Sequence, residues 1–230
     1  MDNPHEGHRQ RLKERFLKTG FESFQPHEVL ELLLFFARPR IDTNEMAHNL
    51  INTFGDLPAV FDADYEDIAK VKGVGESGAL LIKMMPQIAN KYSVQKTASD
   101  IMDTSAKVKK HFFGSFIGIK IEQLRIICLD DSLKIISSGV ITDGGVSSVP
   151  MNVRKIIEFT YRSNCEMIIL AHNHPNGFCQ PSDEDIAATN SLYAILKSVG
   201  IKLLDHIIVN KTTAVSMYDS GYFSTIDNGR

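Results

Sequence analysis

In the stretch IILAHNHPNGFCQPSDEDIAAT, Ile168 to Thr189, two histidines one residue apart close an apolar run, and a Ser-Asp-Glu-Asp cluster follows shortly after. Successive side chains on a strand point to opposite faces, so His172 and His174 project together while Asn173 is directed away. Pro175, Asn176 and Gly177 then turn the chain off the sheet. Ser182 precedes an amphipathic helix, and Asp185 falls in its first turn. Two imidazoles and one carboxylate are a common protein donor set for catalytic zinc, with the fourth position left for water. The intervening loop lets Asp185 fold back toward the histidines.

Each part also has a plainer reading. Ser-x-x-Asp ahead of an apolar run is the pattern of a capping box, so Ser182 and Asp185 equally read as the start of a helix. The two roles do not exclude each other. Three other chemistries that use neighbouring histidines fit less well. HNH nucleases spread their residues over a ββα unit. A metallo-β-lactamase-like site wants an aspartate soon after the second histidine, where this chain has Pro175-Asn176-Gly177. An amidohydrolase barrel carries its His-x-His on an early strand, and here too few residues follow.

The elements that must position these residues change character midway. Up to about residue 97 the chain reads as short helices: HRQRLKERFLK, PHEVLELLLFFA with Pro26 at a first helical position, TNEMAHNLINTF with Thr43 as N-cap, YEDIAKV, and SGALLIKMMPQIANKY. Pro86 predicts a kink or an earlier end in the last of these. The small, polar stretch SVQKTASDIMDTS marks a boundary between a helical domain, 1–97, and a second domain, 104–230. There QLRIICLD and LKIISSGV read as a hairpin across Asp130-Asp131-Ser132, CEMIILA as a buried strand, and KLLDHIIV and TTAVSMY as closing strands. MNVRKIIEFTYRSN and DEDIAATNSLYAILKSVG are helical in period, the second ending at Gly200. Interleaved strands and helices give an α/β domain on a mixed sheet.

With 43% hydrophobic and 23% charged residues and a net charge of -3, the composition excludes a disordered chain and an overall basic field for nucleic acid. No apolar run approaches the ~20 residues of a bilayer span, so no membrane association is expected. The N-terminus lacks a signal-peptide core, and Cys128, Cys165 and Cys179 lack CxxC spacing. Reduced thiols and a cytoplasmic location are expected. VKGVGESGALL places Gly73 and Gly75 between short helices, resembling a helix-hairpin-helix, whose turn brings backbone amides to a phosphate. With the basic run Arg9, Arg11, Lys13, Arg15 and Lys18 it suggests weak, non-specific DNA contact, against the plainer reading of a packing turn and a solvated helix face.

His172-x-His174-Pro175, with seven residues between His174 and Ser182 and then x-x-Asp185, resembles the JAMM (MPN+) metalloprotease signature. The HNHPNG run and LLDHIIV make the chain more specifically similar to the bacterial RadC family, over roughly Ser105 to Phe223, and the helical half also looks like the region that precedes the domain there. The resemblance implies a cytidine-deaminase-like α/β fold and zinc held by His172, His174 and Asp185. It also implies a general-base glutamate upstream of the first strand. That role falls on Glu122, otherwise a solvated strand-edge acid. Ser182 would then donate to the developing oxyanion, and the reaction implied is hydrolysis of a peptide or isopeptide bond in a protein or peptide substrate. One departure is visible: VPMNVRK stands where many relatives carry a VHPRE-like run. Two further readings stay open. One is a DNA-associated protein with an accessory metal domain, in keeping with the family's repair label. The other is a recruiting module that has lost its ligands, against which the retained histidines, Ser182, Asp185 and Glu122 argue. His206, beside Asp205, would either orient a ligand or pack in the core. His5, His8, His27, His48 and His111 show no recognisable spacing and read as surface or cap residues.

Overall fold

The computed structural model describes residues 4–39, 41–143 and 152–222. The chain divides into two compact units, Met1–Ile88 and Ala89–Arg230. The division falls inside a long helix, upstream of the polar stretch that marks the boundary in the sequence.

The first unit is helical: α1 Pro4–Thr19, α2 Pro26–Ala37, α3 Asn44–Phe54, α4 Leu57–Asp62, α5 Tyr65–Lys70, and the first part of α6 Gly75–Thr97. Pro26 occupies the first turn of α2, where its missing N–H has no helical partner to lose. Leu30, Leu34, Leu50, Val60, Ile68, Val74 and Ile82 interlock as its core. Glu31 is buried on the core side of α2, and burial of a carboxylate is tolerated because its oxygens are paired. His8 Nε2 lies 2.9 Å from Oε1, and Asn44 Nδ2 donates to Oε2 at 2.9 Å. Within the basic run, Arg9 donates to the carbonyls of Arg38 and Ile41 and covers the Phe35 ring, and Arg15 pairs with Glu28 at 2.7 Å. Gly73 and Gly75 take positive φ in the turn before α6, and the Arg38 guanidinium lies against Gly75.

In the second unit, beyond the end of α6, come α7 Ser105–Ser115, β1 Gln123–Leu129, β2 Ile135–Asp143, α8 Val153–Arg162, β3 Met167–Asn173, α9 Asp183–Ser198, β4 Lys202–Val209 and β5 Ala214–Ser216. The strands form one sheet in the order β2-β1-β3-β4-β5. Among the described residues only β3 and β4 run parallel, joined through α9, so the sheet is mixed and the class α/β. Strand alternation divides the apolar residues between two faces. Leu124, Ile126, Ile168, Leu170 and Ile208 pack with Ile156 of α8 and Leu192 and Leu196 of α9. Ile127, Leu129, Ile169, Ala171 and Ile207 pack with Val108 and Phe112 of α7. The β1–β2 turn is tied by Asp130, whose Oδ1 accepts from the amides of Ser132 and Lys134 at 2.8 and 2.9 Å.

One alternative is excluded and one expectation is corrected. Helix α6 does not end before Pro86 but runs through it to Thr97, since proline removes one donor and leaves later turns free to bond. His111 is not a surface residue. It is 3% exposed on α7, and its Nδ1 lies 2.8 Å from Thr97 Oγ1. The sequence pattern also passed over α4 and α7, each begun by a side-chain cap, Asp56 and Thr104. Of the VPMNVRK stretch, Val149 to Met151 lie outside the described residues.

Burial pushes the His111 pKa down to about 4, with Arg125 adding to the effect and Asp100 opposing it. The unfolded imidazole, near 6.5, therefore binds its proton first as pH falls, and folding stability drops between pH 6.5 and 4. His111→Gln, which keeps a partner for Thr97, should remove that contribution, up to about 3 kcal/mol. Chemical denaturation of both proteins at pH 7 and pH 4.5 measures it.

Candidate metal centre

The register of β3 against β1 decides which side chains meet. Leu124 pairs with His172 across the antiparallel ladder, and directly opposed residues share a face. His172 thus stands on the face that packs α8 and α9, and His174, two residues on, projects with it. The loop that follows is held down in three places. His174 N donates to Val209 O at 2.7 Å, Asn210 Nδ2 donates to Gly177 O at 3.3 Å, and the buried Cys179 thiol donates to Ile208 O at 3.1 Å. This fixes where α9 begins.

Helix α9 opens with a complete capping box. Asp185 N donates to Ser182 Oγ at 3.1 Å, and Ser182 N donates to Asp185 Oδ2 at 2.8 Å. The Ser182 hydroxyl also donates to Oδ2, at 2.7 Å. The same carboxylate reaches the histidines: Oδ1 is 3.2 Å from His172 Nε2 and Oδ2 is 3.5 Å from His174 Nε2. One side chain thus caps the helix and stands beside both histidines. The two Nε2 atoms are 2.9 Å apart, and ligand atoms of His172, His174 and Asp185 all lie within 4.8 Å of one another. Burial opposes ionisation of Asp185, but the two histidines and the Ser182 hydroxyl outweigh it and hold the carboxyl far below the usual range. Its carboxylate in turn raises the pKa of His174, against burial and with help from the Phe178 carbonyl and the Glu122 charge.

Hydrogen-bond roles set the tautomers. His174 Nδ1 faces the Phe178 carbonyl at 3.0 Å, and since a carbonyl only accepts, Nδ1 carries the proton. Neutral His174 then turns its Nε2 lone pair inward. His172 Nδ1 lies 2.8 Å from His206 Nε2, and His206 Nδ1 lies 2.8 Å from Thr189 Oγ1. The Thr189 hydroxyl has Met217 Sδ, at 3.8 Å, as an outlet for its proton. It thus accepts from His206 Nδ1–H, which leaves His206 Nε2 to accept from His172 Nδ1–H. Both outer histidines then aim lone pairs at one point beside an ionised carboxylate. Uncompensated, these electron pairs repel, and a divalent cation among them satisfies all three. The donor set of two nitrogens and one oxygen fits zinc.

His206 is fully buried, and burial holds its pKa well below the free value. It both packs in the core and contacts His172. Asp205, its neighbour, faces elsewhere and accepts from Ser216 Oγ and the amides of His206 and Tyr218. Glu122 is half-buried just before β1 and lies outside the group of three, near enough for its charge to act on His174. Sequence reasoning passed over Thr189 and Asn173, both buried. The available signal for Thr189 was a polar residue on the helix face that carries Leu192 and Leu196.

Residues 102–222 match the family model for the RadC-like JAB domain. This chain belongs to the RadC family. A UPF0758 protein of Fusobacterium nucleatum subsp. nucleatum is 30% identical to it over 96% of this chain and 98% of its own length. A UPF0758 protein of Ruegeria pomeroyi is 32% identical over 94% of this chain and 96% of its own. JAB domains typically bind zinc, and their wider family often includes metalloproteases. Among the described residues of this RadC-family chain, no helix is long and apolar enough to cross a membrane.

Replacing a residue that orients a metal-bound histidine typically weakens metal binding about 10–100-fold. His206→Leu, which keeps apolar volume, should lower zinc affinity by about that factor in a chelator competition, with the circular dichroism spectrum unchanged. Equal affinities would reduce His206 to a packing residue.

Proposed function

We propose that this RadC-family protein is a zinc-dependent hydrolase acting on peptide or isopeptide bonds. The observation that carries the reading is the inward convergence of His172 Nε2, His174 Nε2 and the Asp185 carboxylate. These three residues would hold the ion, which when bound supplies Lewis-acid polarisation and a water whose pKa falls to about 7. Glu122, half-buried at the mouth of β1, takes the proton from the attacking water and returns it to the leaving amine nitrogen. Ser182 orients Asp185 through its amide. Its hydroxyl serves the oxygen of the scissile carbonyl once it turns from Asp185 Oδ2, which still accepts a hydrogen bond from the Ser182 N–H. His206 and Thr189 keep His172 in the tautomer that leaves Nε2 unprotonated. Protein or peptide is the substrate class.

A second reading rests on the positive-φ glycine turn ahead of α6. In it the helical half binds duplex DNA without sequence preference and the metal domain is accessory. Such binding would appear as retention of duplex that weakens steeply with salt.

Purified full-length protein should carry about one zinc per chain, lost in His172→Ala. Incubated with a mixed peptide library and read by mass spectrometry, it should give products that vanish on chelation and return with zinc. Glu122→Gln should keep the zinc and lose at least about 100-fold in rate. Undiminished cleavage by that variant removes Glu122 from the mechanism.

A further inference from the structure

A side chain between the two histidines makes contacts that neither strand alternation nor metal binding calls for. Asn173 is 3% exposed and sits at the end of β3, where regular pairing with β1 stops at the Leu124–His172 position. Its carboxamide continues the ladder in place of a backbone rung. Oδ1 accepts from Gln123 N at 2.8 Å, and Nδ2 donates to Ile121 O at 3.0 Å. Both ends of the amide are thus satisfied, and they grip the main chain on either side of Glu122.

A residue whose two flanking peptide groups are fixed has little freedom in its own φ and ψ, and so in the direction of its Cβ. Leu124 shares a face with His172, so Glu122, two residues earlier, returns to the face of His174 by strand alternation. We propose that Asn173 is the positioning residue for Glu122: by bridging Ile121 O and Gln123 N it aims the carboxylate at the face that carries the histidines. The inference rests on the hydrolase reading for what Glu122 does there, and on the two hydrogen bonds for how it is held. One tripeptide thus serves both halves of the site, His172 and His174 toward the ion and Asn173 toward the base.

The test uses full-length protein loaded with cobalt(II), whose visible bands report pH-dependent ionisation beside the ion, a readout independent of any substrate. A nearby carboxylate favours the protonated state, so Glu122→Gln should move the spectral midpoint to lower pH. Asn173→Ala should bind one cobalt per chain within about threefold of wild-type affinity and move the midpoint in the same direction, at least half as far. Asn173→Thr is shorter and offers a single hydroxyl, which can meet only one of the two backbone groups. It should fold with an unchanged melting temperature and show a smaller shift of the same sign, with faster hydrogen exchange at the Gln123 amide. A wild-type midpoint in both Asn173 variants, beside a shifted Glu122→Gln, overturns the positioning role and leaves the hydrolase reading standing. Failure of the wild type to bind cobalt, or an unshifted Glu122→Gln, overturns the parent reading and this inference with it.

Discussion

Two imidazole nitrogens 2.9 Å apart, with a carboxylate oxygen 3.2 Å from one of them, are not a comfortable arrangement for a folded chain. Lone pairs on all three point into the same small volume, and burial strips away the water that would screen them. The chain holds them there by means that do not depend on their mutual attraction. His172 is locked into the central strand of a five-stranded sheet, with β1 on one side and β4 on the other. Asp185 is fixed by the capping box that begins α9. The repulsion is therefore met by backbone structure, which is also what a cation site needs if its geometry is to exist before the ion arrives.

The polar groups behind the site are arranged under the same constraint. A buried histidine without a partner would lose a hydrogen bond to water and gain nothing in exchange. His206 avoids this by standing between Thr189 and His172, so that one line of hydrogen bonds leads from Met217 in the core to the inward face of the site. Asp205, next in sequence, is satisfied by an independent set of partners in β5 and the turn after it. Adjacent polar residues on one strand thus feed two networks on opposite sides of the sheet. Only one of them reaches the imidazole rings.

Much of the site was legible in the residues. Spacing alone placed His172 and His174 on one face, and the Ser182-x-x-Asp185 pattern announced both a helix start and a ligand. The helix start is present, and because the cap uses Oδ2 the other oxygen, Oδ1, is left pointing to His172. His111 was misread, since a helix with three lysines just ahead of the histidine gives no hint that α7 turns this side chain toward Thr97. Of the two outcomes that Pro86 allowed, a kink or an earlier end, the earlier end does not occur. One lost hydrogen bond is tolerated in a long helix, and sequence cannot show how many neighbouring turns remain intact.

The sequence by itself determined the chemistry on offer: which Lewis bases exist, that two alternate on a strand, and that a capped helix follows. Tertiary structure decided which of the remaining polar residues serve it. In the pairing of β3 with β4, Ile168 aligns with Leu203 but Ile169 aligns with Asp205, so Leu204 is an extra residue. That bulge shifts the alternation of everything after it, and His206 turns to the face of His172 in place of Asp205. Asn173 is likewise invisible to alternation, because its role depends on two peptide groups some fifty positions earlier in the chain coming within reach of one carboxamide. Strand parity is a local property. Register is a property of two strands together, and no single strand encodes it.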